Sequence, residues 1–353
     1  MVDWLAGKRV RGTSSERSGF GVGLGGTGVG GWVELARTTL GSGSTTINVN
    51  TLANKRYYMI LYNSLGQSTS ADPNWTFNAD TGSNYADRFS INGGSDSTGT
   101  SQSNIFAGSQ PAGDYDAFSV NYLANYSSKE KLWISHYTAP TIDGATEAPM
   151  RTETVAKWSN TSNAFDEITL TSSATLTTGG EVVVLGYDPA DTHTTNFWEE
   201  LASVEASGSS TNLSTGTFTA KKYLWVQVYL GAVAGNVGVT FNNDTGANYA
   251  RRFSQKGGAD STDGSQSNFT SMMGIGNTWA SFSNNFIINN ASNEKLVISH
   301  MNYAVGTGAI NDPERMEFVG KWANTSNQIT EIDFDSTSGN FPTSSIIKVW
   351  GAD

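Results

Sequence analysis

The chain has 353 residues, 37% of them hydrophobic and 15% charged, with 39 glycines, 16 Phe, 13 Tyr, 10 Trp and no cysteine. So many aromatics exclude a disordered chain, and the length suffices for two proper cores. The formal net charge of −11 argues against a phosphate-backbone partner, and the missing cysteines exclude disulfides, thiolate metal sites and a cysteine nucleophile.

Residues 1–31 differ from everything after them. Lys8, Arg9, Arg11 and Arg17 outweigh Asp3 and Glu16, and most positions from Gly19 to Gly31 are glycine. Gly23, Gly25 and Gly28 formally match a dinucleotide fingerprint, but neither a strand nor a helix pattern flanks them, so the match carries no weight. The stretch reads as an extended glycine-rich arm. Trp4 and Leu5 are its apolar anchor for a neighbouring subunit, with Lys8, Arg9 and Arg11 beside them.

From Trp32 the chain is a tandem repeat. Trp32-x-Glu34-Leu35-Ala36 returns as Trp198-x-Glu200-Leu201-Ala202. The block Phe77–Asn104 returns 164 residues later at roughly 70% identity, the mark of a duplication. The expected organisation is an arm over 1–31, one unit over 32–188, a linker over 189–197 and a second unit over 198–353. Within a unit the period is two. In YLWVQVYL, Trp225, Gln227 and Tyr229 face one way and Val226, Val228 and Leu230 the other; in KLWISHY, Leu132, Ile134 and His136 share a face; in PMRTETVAKW, Arg151, Glu153, Val155 and Lys157 do. The expected fold is all-β: two tandem antiparallel β-sandwiches of jelly-roll type behind the arm. The most apolar run, 223–235, is too short to span a bilayer and carries Gln227, so no membrane insertion is expected.

Asp80-Thr81-Gly82 and Asp244-Thr245-Gly246 reproduce the tripeptide of aspartic proteases, whose two carboxylates share a proton. The preceding residues, Asn78-Ala79 and Asn242-Asn243, are not the apolar strand such a loop needs. The favoured reading is a tight turn, with Arg88 and Arg252 pairing the aspartates. An all-oxygen calcium site from Asp80 with Asp96, copied as Asp244 with Asp260, is the cofactor alternative. His136 and His300 occupy equivalent strand positions and read as packing residues. Tyr85 with Asn84, and Tyr249 with Asn248, are the candidate glycan contacts, since aromatic faces and amides suit sugars; the competing reading has the tyrosines closing the sandwich. No catalytic constellation assembles.

The stretches MVDWLAGKRVRGTSSER, WVELARTTLGSG, FNADTGSNYADRFS with NGGSDST, KEKLWISH and VLGYDPADTHTTNFWEEL resemble structural proteins of marine tailed phages and marine archaeal viruses. The resemblance covers nearly the whole chain. It implies a virion component (capsid, decoration, fibre or spike subunit) that assembles with itself and other virion proteins, and it brings no catalytic residue. A host-surface glycan is the alternative partner.

Overall fold

A computed structural model describes residues 31–189, 191, 196–272, 279–306 and 308–353; the arm residues Trp4, Leu5, Lys8, Arg9 and Arg11 lie outside this set. The described residues form strands and turns, with no helix. No helix is therefore long and apolar enough to cross a membrane.

The first repeat runs β1 (Val33–Thr39), β2 (Ser44–Val49), β3 (Tyr57–Ser64), β4 (Asn74–Phe77), β5 (Tyr85–Ile91), β6 (Ser97–Gln102), β7 (Ile105–Phe106), β8 (Ala117–Ala124), β9 (Lys131–Ala139), β10 (Met150–Trp158), β11 (Ile168–Leu176) and β12 (Glu181–Tyr187). The second runs β13 (Glu199–Glu205), β14 (Asn212–Ser214), β15 (Tyr223–Leu230), β16 (Val237–Phe241), β17 (Tyr249–Gln255), β18 (Ser261–Gln266), β19 (Phe269–Thr270), β20 (Ser281–Ile288), β21 (Lys295–Tyr303), β22 (Glu314–Trp322), β23 (Ile332–Ser336) and β24 (Ile346–Ala352).

The pairings explain the architecture. β1 pairs β12, β2 pairs β11, β3 pairs β8 and β4 pairs β7, all antiparallel. This is one long ribbon folded on itself. Pairing of β12 with β3 and of β11 with β4 rolls the ribbon up, giving the sheet orders β1-β12-β3-β8 and β2-β11-β4-β7, a jelly roll. Two inserted hairpins, β9–β10 and β5–β6, extend the first sheet beyond β8 to eight strands. The second repeat reproduces every step, with orders β13-β24-β15-β20-β21-β22-β17-β18 and β14-β23-β16-β19. The expected tandem β-sandwiches are what the chain forms.

Alternation fills each roll. Trp75, Phe77, Trp133, Trp158, Val182 and Val184 are buried inside the first; Val226, Val228, Leu230, Phe241 and Trp322 inside the second. The opposite face of the eight-stranded sheets is buried too. Met59, Leu61, Phe118, Val120, Val183 and Leu185 of the first repeat pack in one cluster with Tyr223, Ile288, Leu296, Ile298, Val319 and Trp350 of the second. The two large sheets therefore stack face to face, which is why Glu181–Gly186 reads as the nearly unbroken apolar run EVVVLG.

Candidate functional site

The Asp-Thr-Gly loops are built to hold an indole. Asn78 and Ala79 both adopt φ near +50°, as do Asn242 and Asn243, turning the chain sharply after β4 and β16. Asp80 then accepts hydrogen bonds from Gly82 N at 2.9 Å, from Asn84 Nδ2 at 2.9 Å and from Trp158 Nε1 at 2.7 Å. Asp244 accepts the same three from Gly246, Asn248 and Trp322. Burial raises both carboxyl pKa values, but these donors outweigh it and hold them below the ordinary range. Gly82 has no positive φ; a Cβ there would sit 2.9 Å from Asn84 Nδ2, so the amide bonded to Asp80 would have to shift. Over each indole ring lies a buried ammonium: Lys131 Nζ is 5.7 Å from the Trp158 centroid, and Lys295 Nζ 5.8 Å from that of Trp322.

This geometry corrects one expectation, the arginine partners of the aspartates, and disfavours three alternatives weighed beside the tight turn. Asp80 and Asp244 are each bonded within their own repeat, with no shared proton, so the protease dyad does not form. Arg88 pairs with Asp96 at 3.1 Å, and Arg252 approaches Asp260 at 3.8 Å, rather than the Asp-Thr-Gly carboxylates. The calcium sites lose their ligands for the same reason: the oxygens of Asp80 and Asp244 are taken by N–H donors, and Asp96 and Asp260 face guanidinium groups. Tyr85 and Tyr249 are fully buried, and their hydroxyls bond the backbone at Phe77 and Phe241. They close the sandwich and cannot stack on a sugar. Asn84 and Asn248 are spent on their aspartates.

The residues that do converge lie between the repeats. β9 and β10 set His136 opposite Glu153, and β21 and β22 set His300 opposite Glu317. The stacking of the same face of both sheets brings His136 and His300 together, ring centroids 4.0 Å apart. Glu153 Oε1 lies 4.0 Å from His136 Nδ1 and 3.9 Å from His300 Nε2. Arg151, bonded to Glu153 at 2.7 Å, reaches across to Asp260 at 2.6 Å. A recess of about 290 Å³, lined by His136, Glu153, His300, Arg315 and Glu317 among others, opens over this cluster. Burial, with His300 alongside, pushes the His136 pKa down to about 3. Glu153 falls to about 2: its burial is overcome by His300, Arg151 and His136. The packing reading of the two histidines missed this meeting. The signal was their equivalence in the duplication, because a residue near a local dyad meets its own copy.

Away from that dyad the repeats behave differently. Leu132, Ile134 and Val155 are 57%, 48% and 50% exposed, whereas their counterparts Leu296, Ile298 and Val319 are 0%, 3% and 2% exposed. The Lys157–Glu130 ion pair is open to solvent, while Lys321 and Glu294 are buried. The β9–β10 connection makes this difference: Ile142 O accepts from Lys321 Nζ at 2.6 Å, and Gly144 N donates to Glu294 at 2.6 Å. On the corresponding connection between β21 and β22, Ile310 is 94% exposed.

The same junction carries a pH response. Asp116 is buried against repeat 2, accepting from Asn290 at 2.9 Å and Asn293 at 2.8 Å. Burial pushes its pKa up to about 7, with Glu294 adding to the rise and Lys295 opposing it. The folded state thus holds a proton that the unfolded state, near pH 4, has released. Stability contributed by protonated Asp116 is full below that pH and is lost as pH rises towards 7. Asp116→Asn is expected to flatten this slope between pH 4 and pH 7, read from melting curves between pH 4 and pH 8.

No protein-family model matches the chain, and no curated protein is significantly similar to it. Among solved structures, mouse laminin α1 domains LG4–5 align over 90% of this chain and 89% of that one at 7% identity, with a TM-score of 0.20. Neisserial surface protein A aligns over 80% and 99% at 6% identity, with a TM-score of 0.13. Similarities this weak carry no functional argument.

Proposed function

We propose that the protein is a non-catalytic structural subunit of a virion that assembles with further copies of itself. One observation carries the reading: a sheet face that repeat 2 buries inside the chain is left open on repeat 1. Around Leu132, Ile134 and Val155 the open face offers a shallow apolar recess of about 600 Å³, with the Lys157–Glu130 pair at its rim. The intramolecular contact supplies a template for its occupant. In repeat 2 the equivalent face is capped by a connection between two extension strands. The second copy of that connection carries Ile310, which is 94% exposed on the same molecule. A second copy placing it over Leu132 and Lys157 makes a heterologous contact, the kind that propagates into rings or filaments. The N-terminal residues, with Trp4 and Leu5, are a second assembly element in this reading. The resemblance to marine virion proteins supports the setting, and tandem jelly rolls clamped into one block suit a building unit.

Light scattering of the full chain tests the reading. The native protein is expected to form multimers at micromolar concentration. Ile134→Arg with Val155→Glu is expected to give monomers, with stability changed by less than about 0.5 kcal/mol because both sites are exposed. A native chain that stays monomeric to about 100 μM, a concentration at which even weak specific contacts register, overturns it.

A further inference from the structure

We infer that His136, Glu153 and His300 form a binding site for a borderline divalent transition cation, of the zinc, cobalt or nickel class, that staples the two repeats together. Among the described residues they are the group of histidines and carboxylates whose ligating atoms all lie within 4.8 Å of one another. His136 Nδ1 is sealed from solvent and has no hydrogen-bond partner. A buried nitrogen left unsatisfied is costly, and a metal ion removes that cost by using the lone pair of the neutral imidazole.

The donor set decides the class of ion. Two imidazoles and one carboxylate suit zinc and its neighbours, whereas calcium and magnesium require oxygen ligands. Tetrahedral zinc with bonds of about 2.0–2.1 Å places its ligand atoms about 3.4 Å apart. The separations of 3.9 and 4.0 Å from Glu153 Oε1 need a contraction of about half an ångström, small for side chains on facing strands. The recess above the cluster leaves room for a water as fourth ligand. Arg151 Nη1 donates to the same Glu153 Oε1 at 2.7 Å, so the metal takes a remaining lone pair of the carboxylate, while Asp260 at 2.6 Å balances the guanidinium charge. Because ligands come from both repeats, an ion bound here holds the folded pair and has no equivalent site in the unfolded chain.

The experiment uses the full chain freed of metal with EDTA. Zinc is titrated in by calorimetry, and cobalt(II) is followed by its visible absorption. The expected results are one ion per chain, a cobalt spectrum of four- or five-coordinate type, and a melting temperature raised by about 3 °C or more with zinc at 100 times its Kd. Calcium and magnesium are expected to leave the melting temperature unchanged. His136→Gln and His300→Gln should each weaken zinc binding at least tenfold, and the double variant should abolish the cobalt bands. Melting in EDTA checks that the variants fold; if either fails, Glu153→Gln gives the same reading. Zinc binding that is absent, or that survives undiminished in the double variant, where His193 is the only histidine left, overturns the inference.

Discussion

Arg151→Ala is expected to lower stability by about 3–5 kcal/mol, the cost of removing one member of a buried ion pair. Its side chain is 6% exposed and that of Asp260 3% exposed, at 2.6 Å. Once Arg151 is gone, Asp260 keeps only Arg252 at 3.8 Å and is left largely uncompensated away from water. The loss falls on the junction between the repeats, since Arg151 begins β10 and Asp260 sits in the β17–β18 turn. Gly93 packs against that same aspartate so closely that a Cβ there would fall 2.3 Å from Oδ1. Calorimetry should therefore show one cooperative transition splitting towards two. The duplication supplies the control. Arg315 is the counterpart of Arg151, but its side chain is 63% exposed, so Arg315→Ala should cost at most about 1 kcal/mol. Equal losses from the two substitutions would mean that the junction is not closed by this pair.

The rolls themselves were legible in the sequence. Period-two patterning in KLWISHY and YLWVQVYL separated the two faces of each strand, and the structure shows which is inside: Trp133 and Tyr137 point into one core, Val226 and Val228 into the other. Duplication then gave the second fold from the first. The stacking was not legible from alternation, because alternation treats the outer face of a sheet as solvated. Its trace was the run Val182–Leu185, in which every position is buried, alternately in the roll and at the junction. Tyr85 and Tyr249 close the sandwich, the reading set against a sugar contact, because their hydroxyls find backbone partners inside. Arg88 pairs with Asp96 instead of Asp80 because the tight turn after Ile91 brings Asp96 back beside it, while Asp80 is already taken by Trp158.

Sequence equivalence also did not dictate equal environments. Two identical units that stack through one face cannot both be capped by the same connection unless the dyad is kept over the whole contact. Here it is kept at His136 and His300 and lost towards the β9–β10 connection. One chain thus contains a closed and an open version of the same surface. The closed version binds the repeats together, and the open one is what the assembly reading uses.

Trp158→Ala is expected to destabilise the first repeat by about 3–5 kcal/mol, the usual cost of emptying a large buried aromatic site. The indole is fully buried, stacks on Tyr85 with centroids 6.4 Å apart and meets Phe77 edge-on at 5.8 Å. Its removal also strips Asp80 of its strongest donor and Lys131 of its aromatic face. Asp80→Asn separates the polar share. The new amide can accept from Trp158 or from Gly82, but its NH₂ then confronts Asn84 Nδ2, which now donates to both carboxylate oxygens. A loss of about 1–3 kcal/mol follows from leaving such donors unpaired. Trp322→Ala and Asp244→Asn should repeat both effects in the second repeat, independently, because each group lies in its own core. Chemical denaturation measures all four. A protease dyad demands the opposite pattern: Asp80→Asn would abolish peptide cleavage at acid pH and leave the denaturation midpoint where it was.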